Sequence, residues 1–169
     1  MIPHHMRTYD FLSRMLVVFL AGLAPLICVM VYGEMPSVSA YWRTDLQPLF
    51  IITNAATSFY FYTNKMWRFS ALMLLLLTAF SVDLYGTIHN IVAVAFFISN
   101  LYPLYKTNHF KWCFWIYLSS LVVFAFSMLY AELIAINALC LFHGLKLIKL
   151  QKLQKENDAN AHLTIDETP

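Results

Sequence analysis

Apolar positions in this chain fall in long blocks rather than at the period of a half-buried strand or an amphipathic surface helix. Six segments, residues 11–32, 46–63, 69–83, 87–105, 112–130 and 133–150, are almost continuously apolar, with Gly, Pro, Asn, Asp or basic residues between them. Such runs predict bilayer-crossing helices. A span needs about 20 apolar residues, and backbone groups in hydrocarbon must pair within their own segment. The expected fold class is therefore all-α, a polytopic bundle of six transmembrane helices with both termini cytoplasmic. Residues 1–150 would form the bundle and residues 151–169 a polar cytoplasmic tail, disordered where it turns acidic from Glu156 onward.

One boundary needs argument, because residues 112–145 run with neither Gly nor Pro until Gly144. As a single helix they would reach about 50 Å, against a hydrocarbon core of roughly 30 Å. A hairpin near Tyr130, Ala131 and Glu132 resolves this, and the placement of charge agrees. With six spans, Arg7 and Arg14, Lys65 and Arg68, Lys106 and Lys111, and Lys146, Lys149, Lys152 and Lys155 all fall on the cytoplasmic side, leaving only Arg43 outside. Tyr32, Trp42, Tyr85 and Tyr130 would then form an outer aromatic belt, and Tyr62, Trp67, Tyr105 and Trp112 an inner one. The lysines after Gly144 read as a charged stop-transfer end. Arg14 and the small residues Val38, Ser39 and Ala40 loosely resemble a secretory signal, but the apolar run exceeds a signal core of roughly 7–15 residues.

Composition narrows the function classes. Hydrophobic residues make up 60% of the 169 positions and charged residues 12%, so no folded soluble domain fits beside the helices. The net charge of +2 is scattered over helix ends, which excludes a nucleic-acid-binding patch. Cys28, Cys113 and Cys140 lack C-x-x-C spacing and read as buried packing residues.

The acidic residues outside the cytoplasmic ends converge on the outer surface. Asp83 would close the third span, His89 would sit in the first turn of the fourth, and Glu132 would open the sixth. A carboxylate can orient an imidazole or share a divalent metal with it, so Asp83, His89 and Glu132 are the candidate metal ligands. The plain structural reading is solvated loop carboxylates beside a histidine at a helix start. Ser37, Ser39, Tyr41 and Arg43 complete an outer cleft. Deeper polar residues are costly and usually face a bundle interior. Asn54, Asn90, Asn100 and Asn137 are such positions, with Asn90 and Asn100 expected on one face. They suit interhelical hydrogen bonds or a polar pathway between the second, fourth and sixth spans, with His143 at its cytoplasmic end. Pro25 and Pro103 should bend their helices.

The loop Pro36-Ser37-Val38-Ser39-Ala40-Tyr41, the helix ending at Tyr62, the run His89-Asn90-Ile91-Val92-Ala93 with Phe96-Phe97, and the last helix from Glu132 to Gly144-Leu145-Lys146 resemble small bacterial six-helix membrane proteins. Those are similar in turn to the DRAM-type six-helix family. The resemblance implies a compact six-helix bundle and an outward-facing cluster of Ser37, Ser39, Tyr41, His89 and Glu132. It brings no reaction, and Thr63-Asn64-Lys65 departs from the Lys-Gly pair it would place there.

Three functions remain. The leading one is a non-enzymatic membrane protein that binds lipid or a partner membrane protein through the outer cleft. The others are a metal-dependent lipid hydrolase using Asp83, His89 and Glu132, and a small transporter or channel. Short connections and the lack of any N-x-S/T site point to a bacterial cytoplasmic (inner) membrane.

Overall fold

In the computed structural model, which describes residues 4–166 and the side chains of residues 9–158, the chain is helical with no strand among the described residues. The helices are α1 (His4–Tyr32), α2 (Gln47–Tyr62), α3 (Arg68–Ala79), α4 (Val82–Lys106), α5 (Lys111–Phe124) and α6 (Met128–Asp166), with short 3-10 helices at Val38–Arg43 and Lys65–Trp67. Among the described residues, three stretches are long and apolar enough to cross a membrane: Tyr9–Tyr32, Val82–Lys106 and Met128–Asp158. The helices over the other three expected spans are shorter. At 1.5 Å per residue, α2 reaches about 24 Å, α3 about 18 Å and α5 about 21 Å.

Local chemistry sets the boundaries. Gly33 ends α1 with φ +75, a left-handed cap that glycine takes without steric cost. Ser37 starts the first 3-10 helix by accepting a hydrogen bond from the Ala40 N–H. Asn64 does the same for the second through the Met66 N–H. Pro48 sits in the first turn of α2, where its missing N–H costs nothing. Phe110, at φ 60, is a non-glycine residue in the left-handed region at the start of α5, a conformation that neighbouring structure must hold in place.

Several expected boundaries move. The break between the last two helices lies at residues 125–127, where the Ala125, Phe126 and Ser127 N–H groups turn back to the Val122 and Val123 carbonyls, and not at residues 130–132. Glu132 therefore sits in the second turn of α6. Asp83 lies in the first turn of α4 rather than at the end of α3, because Phe80 turns extended and stops α3 at Ala79. Residues 151–166, expected as a disordered tail, continue α6. Trp67, expected in the inner aromatic belt, is 1% exposed and lies in the core.

Consecutive helices pack against one another in chain order, and α6 returns to pack along α1, closing a ring. Two apolar clusters fill it: one including Trp67, Phe96, Tyr117 and Phe142, and another around Cys28, Tyr41, Phe50 and Leu129. All three cysteines are free. The outer surface carries Leu16, Phe19, Ile52, Phe59, Ile91 and Trp115 in exposed positions, a face suited to hydrocarbon rather than water.

Candidate functional site

Inside the ring lies a cavity of about 110 Å³, lined by residues of α1, α2, α3, α4, α6 and the outer 3-10 helix. A water needs roughly 10–15 Å³ of such space, so the cavity admits several waters or part of an apolar chain. Most of the wall is aliphatic or aromatic. Small residues make the room, with Ala21 and Ala24 on α1 and Ala93 on α4.

Its outer end is roofed by the 3-10 helix. The Glu132 Oε2 accepts a hydrogen bond of 2.5 Å from the Val38 N–H, so a carboxylate caps the free donors of that short helix from beneath. Ser37 and Ser39 bond to each other through their hydroxyls at 2.9 Å. Tyr41, fully buried, donates to the Gly33 carbonyl at 2.5 Å and ties the roof to the end of α1. Burial pushes its phenol above the ordinary range. Of the four residues expected in an outer cleft, Ser39 lines the cavity, Ser37 and Tyr41 hold the roof, and Arg43 sits outside.

The three proposed metal ligands separate. His89 and Glu132 both line the cavity. Asp83 does not; its carboxylate pairs with the Arg43 guanidinium at an exposed position. Between Asp83 and His89 the helix is kinked at Tyr85, whose φ −134 and ψ 38 are not helical, so the two residues do not share one regular helical turn. Among the described residues no group of three or more His, Cys, Asp and Glu side chains is arranged to hold a metal ion.

His89 is 4% exposed, and its Nδ1 lies 2.7 Å from the Phe80 carbonyl. A carbonyl only accepts, so Nδ1 carries the proton and, in the neutral ring, Nε2 presents a bare lone pair. That Nε2 is buried without a partner. So are the Thr53 and Thr57 hydroxyls and the His143 Nε2, and all four residues line this cavity. The remaining orphan among the described residues is the Asn100 Oδ1, away from the cavity beside Tyr117.

At the other end, the Tyr60 hydroxyl lies 3.1 Å from the His143 Nδ1. The His143 ring stacks on Phe61 and meets Trp67 edge-on. Tyr60, Phe61 and His143 also line a smaller cavity bounded by Arg14 and Lys146, so this aromatic group forms the wall between the two spaces.

The four asparagines diverge. Asn54 lines the cavity. Asn100 is fully buried but Asn90 is exposed, since ten residues fall about 80° short of three whole turns and leave the pair on different faces. Asn137 spends its amide on the Leu133 carbonyl at 2.8 Å within α6, beside Gly22 of α1. Sequence reasoning missed Thr53 and the pairing of His89 with Phe80. A threonine mid-helix carries little signal, and the carbonyl is found only once α3 stops at Ala79. The chain matches no protein-family model, and neither a curated protein nor a solved structure is similar to it.

Proposed function

We propose that this protein is a non-enzymatic binding protein of the bilayer that holds a lipid-like amphiphile in the cavity beneath the outer 3-10 helix. The observation that carries the reading is the convergence of unpartnered polar groups: Thr53, Thr57, His89 and His143 leave buried atoms without partners, and all line one largely apolar space. An unmade buried hydrogen bond costs about 1–3 kcal/mol, so four in one cavity amount to a site that a ligand or its waters would satisfy. The separation of Asp83 from His89 and Glu132 weighs against a hydrolase built on a metal held by those three.

The wider setting belongs to the same proposal. The chain crosses a bacterial inner membrane six times with both ends cytoplasmic. Supporting this are the basic residues at every second connection and the closed ring of sequential helices. The outer 3-10 helix then lies at the outer interface, and the ligand comes from the surrounding lipid.

The test is the lipid content of gently purified protein. We expect about one tightly held amphiphile per chain by mass spectrometry of the extracted protein. Ala93→Leu, which puts three carbons into the cavity, should lower that occupancy at least severalfold while the protein stays folded. Protein that is free of bound amphiphile and stable so would overturn the reading.

A further inference from the structure

The chemistry of the cavity wall selects among amphiphiles, an inference that rests on the binding function just proposed. Among the described residues no lysine or arginine lines the cavity. Its charged or ionisable groups are Glu132 and the histidines His89 and His143, beside the phenol of Tyr60 and the thiol of Cys140. The two groups at the roofed end both present acceptors. Glu132 uses Oε2 on the Val38 N–H, and its second carboxylate oxygen is a further acceptor. His89 commits its Nδ1–H to the Phe80 carbonyl, and its buried, unpartnered Nε2 is the acceptor of the neutral ring. Pro25, also in the wall, has no N–H and so withholds the usual helical donor from the carbonyl of Ala21, another wall residue.

We infer that the ligand enters with a polar end that donates hydrogen bonds and carries no negative charge, a hydroxyl or ammonium headgroup, seated between His89 and Glu132 under the outer 3-10 helix. A phosphate or carboxylate headgroup would bring an anion into a buried space beside the Glu132 carboxylate with no cation to pair it. Burying an unpaired ion is far costlier than burying a satisfied hydroxyl. The apolar part then runs along α6 toward His143, eleven residues or about 16 Å further on.

A hydroxyl and an ammonium share the donor chemistry but differ in their need for charge on Glu132, and the experiment separates them. The full chain, purified in mild detergent and delipidated, is titrated below micellar concentration with four probes of one chain length. These are monomyristoylglycerol, tetradecylamine, monomyristoyl lysophosphatidate and myristate, with thermal stabilisation and binding affinity as readouts. We expect the glycerol ester, the amine or both to bind at least about tenfold more tightly than either anion, the worth of one well-made hydrogen bond to a charged or buried group. His89→Ala should cost the preferred probe about tenfold. Glu132→Gln keeps an acceptor for Val38, so it should weaken the amine and spare the glycerol ester. Anions that bind as tightly as the donors would overturn the headgroup inference while leaving the cavity's binding role intact. Failure of all four, with no co-purifying amphiphile, would sink both.

Discussion

Glu132 is where stability and recognition meet in one side chain. One carboxylate oxygen holds the first N–H of the outer 3-10 helix, and the other is left to the cavity. Removing the side chain strands the Val38 N–H in a buried setting, which costs about 1–3 kcal/mol. Glu132→Ala should therefore lower the unfolding midpoint in detergent clearly more than Glu132→Gln, which can still accept from Val38. Equal losses would mean that this cap contributes nothing. Tyr41 works on the same roof from the side through its bond to Gly33. The exposed pair of Arg43 and Asp83 contributes much less, since solvated ion pairs are worth about 0–1 kcal/mol. At this scale the sequence singled out Glu132, His89 and Tyr41; the first two share the cavity wall and the third ties down its roof. It expected Asp83 beside His89 because a connection of six residues reads as closeness, whereas Asp83 pairs with Arg43 and the helix kinks at Tyr85 between the two.

At the scale of the element, the contact of α1 with α6 closes the ring, and it passes over a glycine. A Cβ on Gly22 would lie 3.3 Å from the Asn137 Oδ1 and 3.4 Å from the Cys140 side chain. Alanine there needs its neighbours to yield by a few tenths of an ångström, and a larger residue would push the helices apart. Close approach through small residues is how helices associate in lipid, where apolar surface gives no drive of its own. Gly22→Leu should thus cost about 1–3 kcal/mol of stability through overpacking. It should also reduce amphiphile retention, because α1 supplies Ala21, Ala24 and Pro25 to the cavity wall. Thermal unfolding and lipid extraction of the variant would measure both. Helix existence was legible in the apolar blocks. Helix ends were not, because Phe80 and residues 125–127 are turned by backbone geometry in sequences that carry no glycine or proline.

For the whole molecule, the proposed six crossings meet a physical demand, because α2, α3 and α5 fall short of roughly 30 Å of hydrocarbon. Six crossings require the bilayer to thin around these helices or their flanking residues to reach the interface. Cysteine labelling tests the six crossings. In a chain whose three native cysteines are replaced, single cysteines at Asp45, Leu84 and Phe126 should react with a membrane-impermeant maleimide on intact cells. Those at Lys65 and Asn108 should react only after permeabilisation. Any other alternation would remove the six-span topology and with it the outer position of the roof.

Taken alone, the sequence determined the solvent and the class of fold. Apolar blocks too long and too numerous for a soluble core demand helices in a lipid-like environment, whatever their arrangement. The tertiary structure decided which polar residues meet. Thr53, His89 and Glu132 come from three helices and are far apart in the chain, so no spacing rule links them, whereas Glu132 and His143 share a face of α6 three turns apart. They share one cavity because the ring closes through α1 and α6 and because small residues leave space behind it. Asp83, nearer to His89 in sequence than any of these, lies across the kink at Tyr85 and pairs with Arg43 instead.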